Sequence, residues 1–443
     1  MHNNQVHSEG ITENNERQKW WHRHWIATIG ISFFLVIVIA VTLSLLLKFV
    51  ILPPKESETI NTIGALPSLT TTTQATPTST LPLLTTTTQA TPTSTLPPLI
   101  TTTTTNQQSA KLSGWVNTGC MNHARQQHTA SILASGKVFV TGGYNNGPSL
   151  NSAELYDPST DTWTVTGSMN DARRGHRSVF ANGKVLVTGG SGTSGLLNSA
   201  ELYDPSTGTW TVTSSMNHAR DFHTASTLKD GKVLVTGGGR IGGVLDSAEL
   251  YDPSARTWTA TGSMNYARSY HTASVLTNGK VLVTGGYNRP NSLNSAELYD
   301  PLKGTWTAAS SMNDARRHHT ASKLANEKVL ITGGHSTSDY LNSAELYDPS
   351  TEIWTATGSM NILRVAHTAS LSTNGRVLVT GGDGDDYFSA ELYDPSTGTW
   401  AITDSMSHAR SFHTASVLTN GKMLVTGGAQ HNVVLNTTEL YYD

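Results

Sequence analysis

The chain predicts an all-β fold, a seven-bladed β-propeller of four-stranded blades, from three observations. A glycine pair recurs beyond residue 112, at Gly142-Gly143, Gly189-Gly190, Gly237-Gly238, Gly285-Gly286, Gly333-Gly334, Gly381-Gly382 and Gly427-Gly428, with a period of 46 to 48 residues. A tyrosine stands seven residues before a tryptophan in Tyr156/Trp163, Tyr203/Trp210, Tyr251/Trp258, Tyr299/Trp306, Tyr347/Trp354 and Tyr393/Trp400. The two ends of the repeat region are incomplete in complementary ways: Gly114-Trp115 begins as a tryptophan strand without its first three, and Glu439-Leu440-Tyr441 stops where such a strand is due. One unit of this length cannot bury its own hydrophobic faces, so copies must stack, and radial stacking builds a propeller. Pairing the two ends completes the seventh blade and leaves no unfinished sheet edge.

Composition agrees with this. Of 443 residues, 37% are hydrophobic and 14% charged, with 39 Gly and 16 Pro, a balance that suits short strands and many turns. The formal net charge of -3 supplies no broad basic field, so nucleic acid is not expected as a partner. The one cysteine, Cys120, cannot form an intrachain disulfide or a zinc cluster. It reads as a serine replacement, because the matching positions hold Ser168, Ser215, Ser263, Ser311, Ser359 and Ser405.

Residues 1–25 read as a short cytoplasmic tail and residues 26–51 as a transmembrane signal-anchor helix. Ile26 to Leu47 is almost wholly apolar and uncharged, long enough at about 1.5 Å per residue to cross a hydrocarbon core of about 30 Å. Trp20, Trp21 and Trp25 stand where indole rings favour the interface, and Pro53 and Pro54 stop the helix. The apolar stretch exceeds that of a cleaved signal peptide. Arg17, Lys19 and Arg23 against Lys48 and Lys55 predict a type II single-pass protein, anchored in the lipid bilayer with its C-terminal part extracellular or lumenal. Residues 52–112 are Thr/Ser/Pro-rich, and a 15-residue unit at Leu69 repeats at Leu84. That composition reads as a disordered stalk, either O-glycosylated or a plain linker.

Residues 113–443 hold the repeats. Each opens with small residues such as His223-Thr224-Ala225-Ser226 and turns at a pair such as Asp230-Gly231, for which a type I′ turn with positive φ at both positions is expected. The second strand, as in Val233-Leu234-Val235-Thr236, is apolar on successive residues, so both of its faces must be covered. It ends at the glycine pair, where close backbone approach is expected. A variable loop follows, then a third strand at Ala248 to Asp252, a Pro-Ser turn, and a fourth strand opening with Trp258. The glycine pairs and Trp115, Trp163, Trp210, Trp258, Trp306, Trp354 and Trp400 are therefore assigned structural roles.

A hydrophobic run, a diglycine, then Tyr and Trp at set spacing resembles the kelch repeat, and the match extends over residues 113 to 443. The resemblance implies four-stranded blades around a central channel.

Alternation of strand direction puts the loop after the diglycine and the link between blades on one face, and the two tight turns on the other. The tight turns barely change between repeats while the loops vary, so specificity is expected on the loop face. Candidate contact residues are Tyr144, Asn145, Arg240, Tyr287, Arg289, His335, Tyr340, Asp385, Tyr387 and His431 in the loops, with Arg174, Phe222, Tyr270, Arg317, His318 and Phe412 in the links. The aromatic members suit stacking on sugar rings or apolar peptide side chains. Every link also carries an arginine three residues before a histidine, from Arg125/His128 to Arg410/His413, and every blade one glutamate, from Glu154 to Glu439. One Arg, one His and one Glu per blade read as a repeated hydrogen-bonded brace; the alternative is a cationic rim for acidic groups, a use that some kelch relatives imply.

Asp383, Asp385 and Asp386 lack the spacing of an EF-hand loop, and no metal or cofactor is expected. Asn436-Thr437-Thr438 fits an N-glycosylation acceptor. His-Thr-Ala-Ser recurs at His128, His223, His271, His367 and His413, which argues for architecture over a catalytic triad. The function expected is therefore a non-enzymatic binding module displayed on a membrane, taking a protein or glycan ligand. The alternative is a copper radical oxidase related to galactose oxidase. That resemblance would demand two Tyr and two His ligands with a Tyr–Cys crosslink, for which Cys120 is the one thiol, and an extra His from a domain beyond Asp443. The adaptor role of many kelch proteins needs a BTB domain, for which the residues before the membrane segment are too few.

Overall fold

The computed structural model describes residues 114–384 and 386–443; the predicted tail, membrane helix and stalk, and Asp385, lie outside the described residues. Seven four-stranded antiparallel sheets are present. In the third blade the strands are Thr224–Thr227, Val233–Thr236, Ala248–Asp252 and Thr257–Thr261, in that spatial order. The first strands of successive blades lie side by side and close into a ring, with Thr129–Ile132 beside both Arg177–Ala181 and Thr414–Val417.

The seventh blade is composite: Gly114–Asn117 pairs antiparallel with Thr438–Tyr442, placing Trp115 opposite Tyr441. Their ring centroids are 5.2 Å apart, within the 5.0 to 5.3 Å of the six Tyr–Trp pairs made inside single repeats. The chain ends thus rebuild the contact that every other blade makes locally.

The core lies between the sheets, which explains the uninterrupted apolar second strands. Val233 and Val235 pack with Leu186 and Leu202 of the preceding blade, while Leu234 packs with Val281 and Val283 of the next. The ring closes in the same way, Val138 and Val140 meeting Leu424 and Leu440. The glycine pair is needed where it touches the neighbour. At φ 64° Gly142 already occupies the left-handed region, and a Cβ there would sit 2.6 Å from the Arg173 carbonyl oxygen and 2.5 Å from His176 Cε1.

The expected type I′ turn at Asp230-Gly231 is not what forms. Gly231 alone has positive φ, 83°; its N–H donates to the Leu228 carbonyl at 3.0 Å, and Leu228 N–H to the Lys232 carbonyl at 2.8 Å. This is a three-residue loop with a glycine bulge. The second blade is one residue shorter here, so Ala181 pairs directly with Lys184, and only there do both central residues, Asn182 at 49° and Gly183 at 75°, take positive φ. Loop length, not the residue pair, selects the turn.

Adjacent blades are also joined by a tyrosine hydroxyl bonded to a threonine at the end of the preceding outer strand, as in Thr213 to Tyr251 at 2.8 Å and Thr261 to Tyr299 at 2.8 Å. In the fourth blade Ala309 stands at that position, and the buried Tyr347 hydroxyl has no partner among the described residues. Ala309→Thr should restore the bond, and a gain of about 1 kcal/mol is expected in urea unfolding. A neutral or negative change would mean that the hydroxyl is satisfied by water.

Candidate functional site

The link arginines are interior. Arg268 Nη2 lies 2.8 Å from Glu297 Oε1, and Nη1 donates to the Gly285 carbonyl at 2.6 Å and the Ser295 carbonyl at 3.0 Å. The second carboxylate oxygen accepts the Asn265 backbone N–H at 2.7 Å and its Nδ2 at 2.8 Å. All seven blades repeat the pair at 2.6 to 2.9 Å, with both side chains at most 2% exposed. In the first blade, burial opposes ionisation of Glu154, yet the bonds from Asn122 and Arg125 outweigh it and hold its carboxyl below the ordinary value. The unit ties the link to its own blade's diglycine and third strand, so these cations are not available to a ligand.

The histidines that follow tie one blade to the next. His271 Nε2 sits 3.1 Å from Thr224 Oγ1 and 3.2 Å from Thr236 Oγ1, both in the preceding blade. Burial, with the positive charge of the nearby arginines, lowers the pKa of His128 and His367 to about 3 and of His176, His223, His271, His319 and His413 well below the usual value. All seven are neutral imidazoles at neutral pH.

Between each Arg and His the chain turns inward. Gln127, Gly175, Phe222, Tyr270, His318, Ala366 and Phe412 all take left-handed φ of 46° to 60°. Each donates its backbone N–H to its counterpart in the preceding blade, from Gly175 to the Gln127 carbonyl at 3.1 Å round to Gln127 to the Phe412 carbonyl at 3.1 Å. The result is a closed collar of seven peptide hydrogen bonds at the channel mouth. Its side chains differ: Phe222 and Tyr270 rings lie 4.3 Å apart, Tyr270 and His318 4.0 Å, and His318 and Phe412 5.8 Å.

The residue before each collar position bridges to the first residue after the diglycine, as Gln126 to Tyr144 and Ser269 to Tyr287, so link and loop form one rim. Arg174 stacks over Tyr144 with Cζ 4.4 Å from the ring centre, and Arg317 over Tyr287 at 4.5 Å. Arg240, Arg289, Asn145 and His431 are exposed on the loops; His335 pairs with Tyr340 at 5.1 Å and Tyr387 with His431 at 5.3 Å. Burial pushes the Asp221 carboxyl on this rim up to about 6, although its own backbone N–H, Arg174 and Arg177 oppose the shift. Asn436 Nδ2 donates to the Met121 carbonyl at 3.1 Å, the contact that Asn151 and Asn294 make with Met169 and Met312.

A family model described as the KLHDC2/KLHL20/DRC7 Kelch-repeats domain matches residues 98–266 and 259–428. The chain belongs to the kelch-repeat family. It is 34% identical over 67 residues to mouse (Mus musculus) Kelch-like protein 23, covering 15% of this chain and 12% of that protein. It is 39% identical over 69 residues to Kelch-like protein 15 of Danio rerio, 14% of this chain and 11% of the relative. It is 32% identical over 73 residues to alpha-scruin of Limulus polyphemus, 16% and 8%. The matched stretches thus span only a small part of these relatives. A solved fungal alcohol oxidase of the AA5 family, in complex with copper, shares the fold at a TM-score of 0.61 and 18% identity, over 74% of this chain and 76% of that one.

The residues of this kelch domain do not fit a copper centre of that kind. Cys120 is exposed, and the seven channel histidines turn Nε2 to threonine hydroxyls. Among the described residues no group of three or more His, Cys, Asp or Glu is arranged to hold a metal ion. Sequence reading placed Phe222, Tyr270, His318 and Phe412 in the links of one face, but it passed over Arg177. That residue stands at the register where the other blades carry Thr129, Thr224, Thr272, Thr320, Thr368 and Thr414, and aligning the first strands by their histidines exposes the exception.

Proposed function

We propose that this kelch propeller is a non-enzymatic binding module, displayed on the outer side of a membrane by the N-terminal segment, that takes a protein or glycan ligand on its loop face. The observation that carries the reading is the contrast within one ring: every blade repeats the same buried brace, whereas the rim and collar above it differ blade by blade. The scaffold accounts for the brace and leaves the rim side chains free to vary. Tyr144/Arg174 and Tyr287/Arg317 present stacked surfaces on the rim that carries the Phe222–Tyr270–His318 cluster, the residue types that dominate binding hot spots.

The test is a screen of the purified chain on glycan and secreted-protein arrays, followed by Tyr287→Ala, Arg317→Ala and Tyr387→Ala against any hit. A hot-spot side chain should cost roughly tenfold or more in affinity. Binding that survives all three changes would remove the loop face as the site. On intact cells, an impermeant antibody to the propeller should stain the surface; staining only after permeabilisation would place the domain on an inward-facing or internal side.

A further inference from the structure

Arg177 begins the first strand of the second blade, opposite Thr188, and lines a cavity of about 270 Å³ beneath the collar. Its guanidinium makes one hydrogen bond, Nη1 to the His176 carbonyl at 3.2 Å, and among the described residues it joins no ion pair. A guanidinium has five N–H donors, so most of its capacity is not taken up by the described residues. Nothing in the scaffold requires it. In five other blades the threonine at this register bonds the next blade's histidine: Thr129 to His176, Thr224 to His271, Thr272 to His319, Thr320 to His367 and Thr368 to His413. The sixth, Thr414, does the same for His128 across the chain closure. In the second blade His223 retains only Thr188.

Arg177 is half-buried in the channel, where charge is screened less than on the open surface, so an anion that joins it is favoured. The imidazoles around it are neutral and cannot supply one. Asp221 is the nearest acidic influence, but it forms no ion pair with Arg177. The remaining walls mix apolar surface from Phe222, Tyr270, Ala366 and Phe412 with the neutral imidazoles and the polar side chains of Gln127, Thr272 and Thr414, beside a single positive charge. One cation neutralises one charge, so a dianion would stay uncompensated; the guanidinium fork matches the two oxygens of a carboxylate, and the aromatic and Ala366 part of the wall suits a short hydrocarbon part.

We propose that the channel below the collar is a binding site for a small free monocarboxylate, held by Arg177. The inference does not rest on the rim reading, and a failure to find a rim ligand leaves it standing. Its test is calorimetric titration of the full-length chain, purified in mild detergent at constant ionic strength, with acetate, propionate, chloride and inorganic phosphate. Acetate and propionate should bind, and Arg177→Thr should weaken them roughly tenfold or more. Arg177→Lys, which keeps the charge without the fork, should fall between. Arg177→Thr installs the residue found in every other blade and supplies the missing hydroxyl to His223, so its unfolding midpoint should match or exceed the wild type. That separates loss of binding from loss of fold. No heat with wild type, equal affinity in Arg177→Thr, or chloride and phosphate binding as tightly as the carboxylates would each overturn the assignment.

Discussion

Lowering the pH from 7 to 5.5 should destabilise the propeller steeply. The seven channel histidines are depressed in the folded state, His128 and His367 to about 3, but titrate near 6.5 once unfolded. Below 6.5 the unfolded chain therefore binds protons that the folded chain refuses. The stabilisation is fully present above 6.5 and is lost as pH falls toward the folded values. Each group that the unfolded chain protonates and the folded chain does not steepens the fall by up to about 1.4 kcal/mol per pH unit, and all seven act in the same direction. Urea midpoints measured across that range should fall steeply, and His271→Gln should reduce the slope by one proton. A midpoint flat from pH 7 to 5.5 would show that the imidazoles are reached by water and charge freely.

Cutting one buried brace should cost about 3 to 5 kcal/mol. Glu297→Leu strands the fully buried Arg268 guanidinium, and Arg268→Met strands the Glu297 carboxylate; either leaves a charge without its counterion in a dry site. The double variant should lose markedly less than the sum of the singles, since no charge is then left over, although the Gly285 and Ser295 carbonyls still lack their donor. Unfolding in urea measures all three. Strict additivity would mean that Arg268 and Glu297 act independently, with their energies in the separate contacts to Gly285 and Asn265. Because this unit recurs in every blade, the result sets the scale on which the ring is held.

What could be read in advance followed from repetition. An interaction made seven times leaves seven copies of its residues, so the second strands, glycine pairs and Tyr–Trp pairs were legible, and the incomplete termini implied the composite blade. The Arg, His and Glu of each repeat were also visible as one unit. Their division was not: the Arg–Glu pair closes within a blade, whereas the histidine reaches back to the blade before it, and a periodic sequence looks the same for either partner. The turn at Asp230-Gly231 was misread because the residue pair was weighed above the loop length, which the shorter second blade isolates.

The sequence by itself therefore determined the blade count, the strand order within a blade and the pairing of the two chain ends, because each is a local pattern or a simple consequence of its repetition. Only the tertiary structure decided which variable residues meet. The collar gathers Phe222, Tyr270, His318 and Phe412 from four blades and up to 190 positions of chain, and below it Arg177 lines a cavity with no carboxylate paired to it among the described residues. Closing a ring brings equivalent positions of distant repeats to one axis, and there a single departure from the repeat acquires neighbours that no stretch of sequence contains.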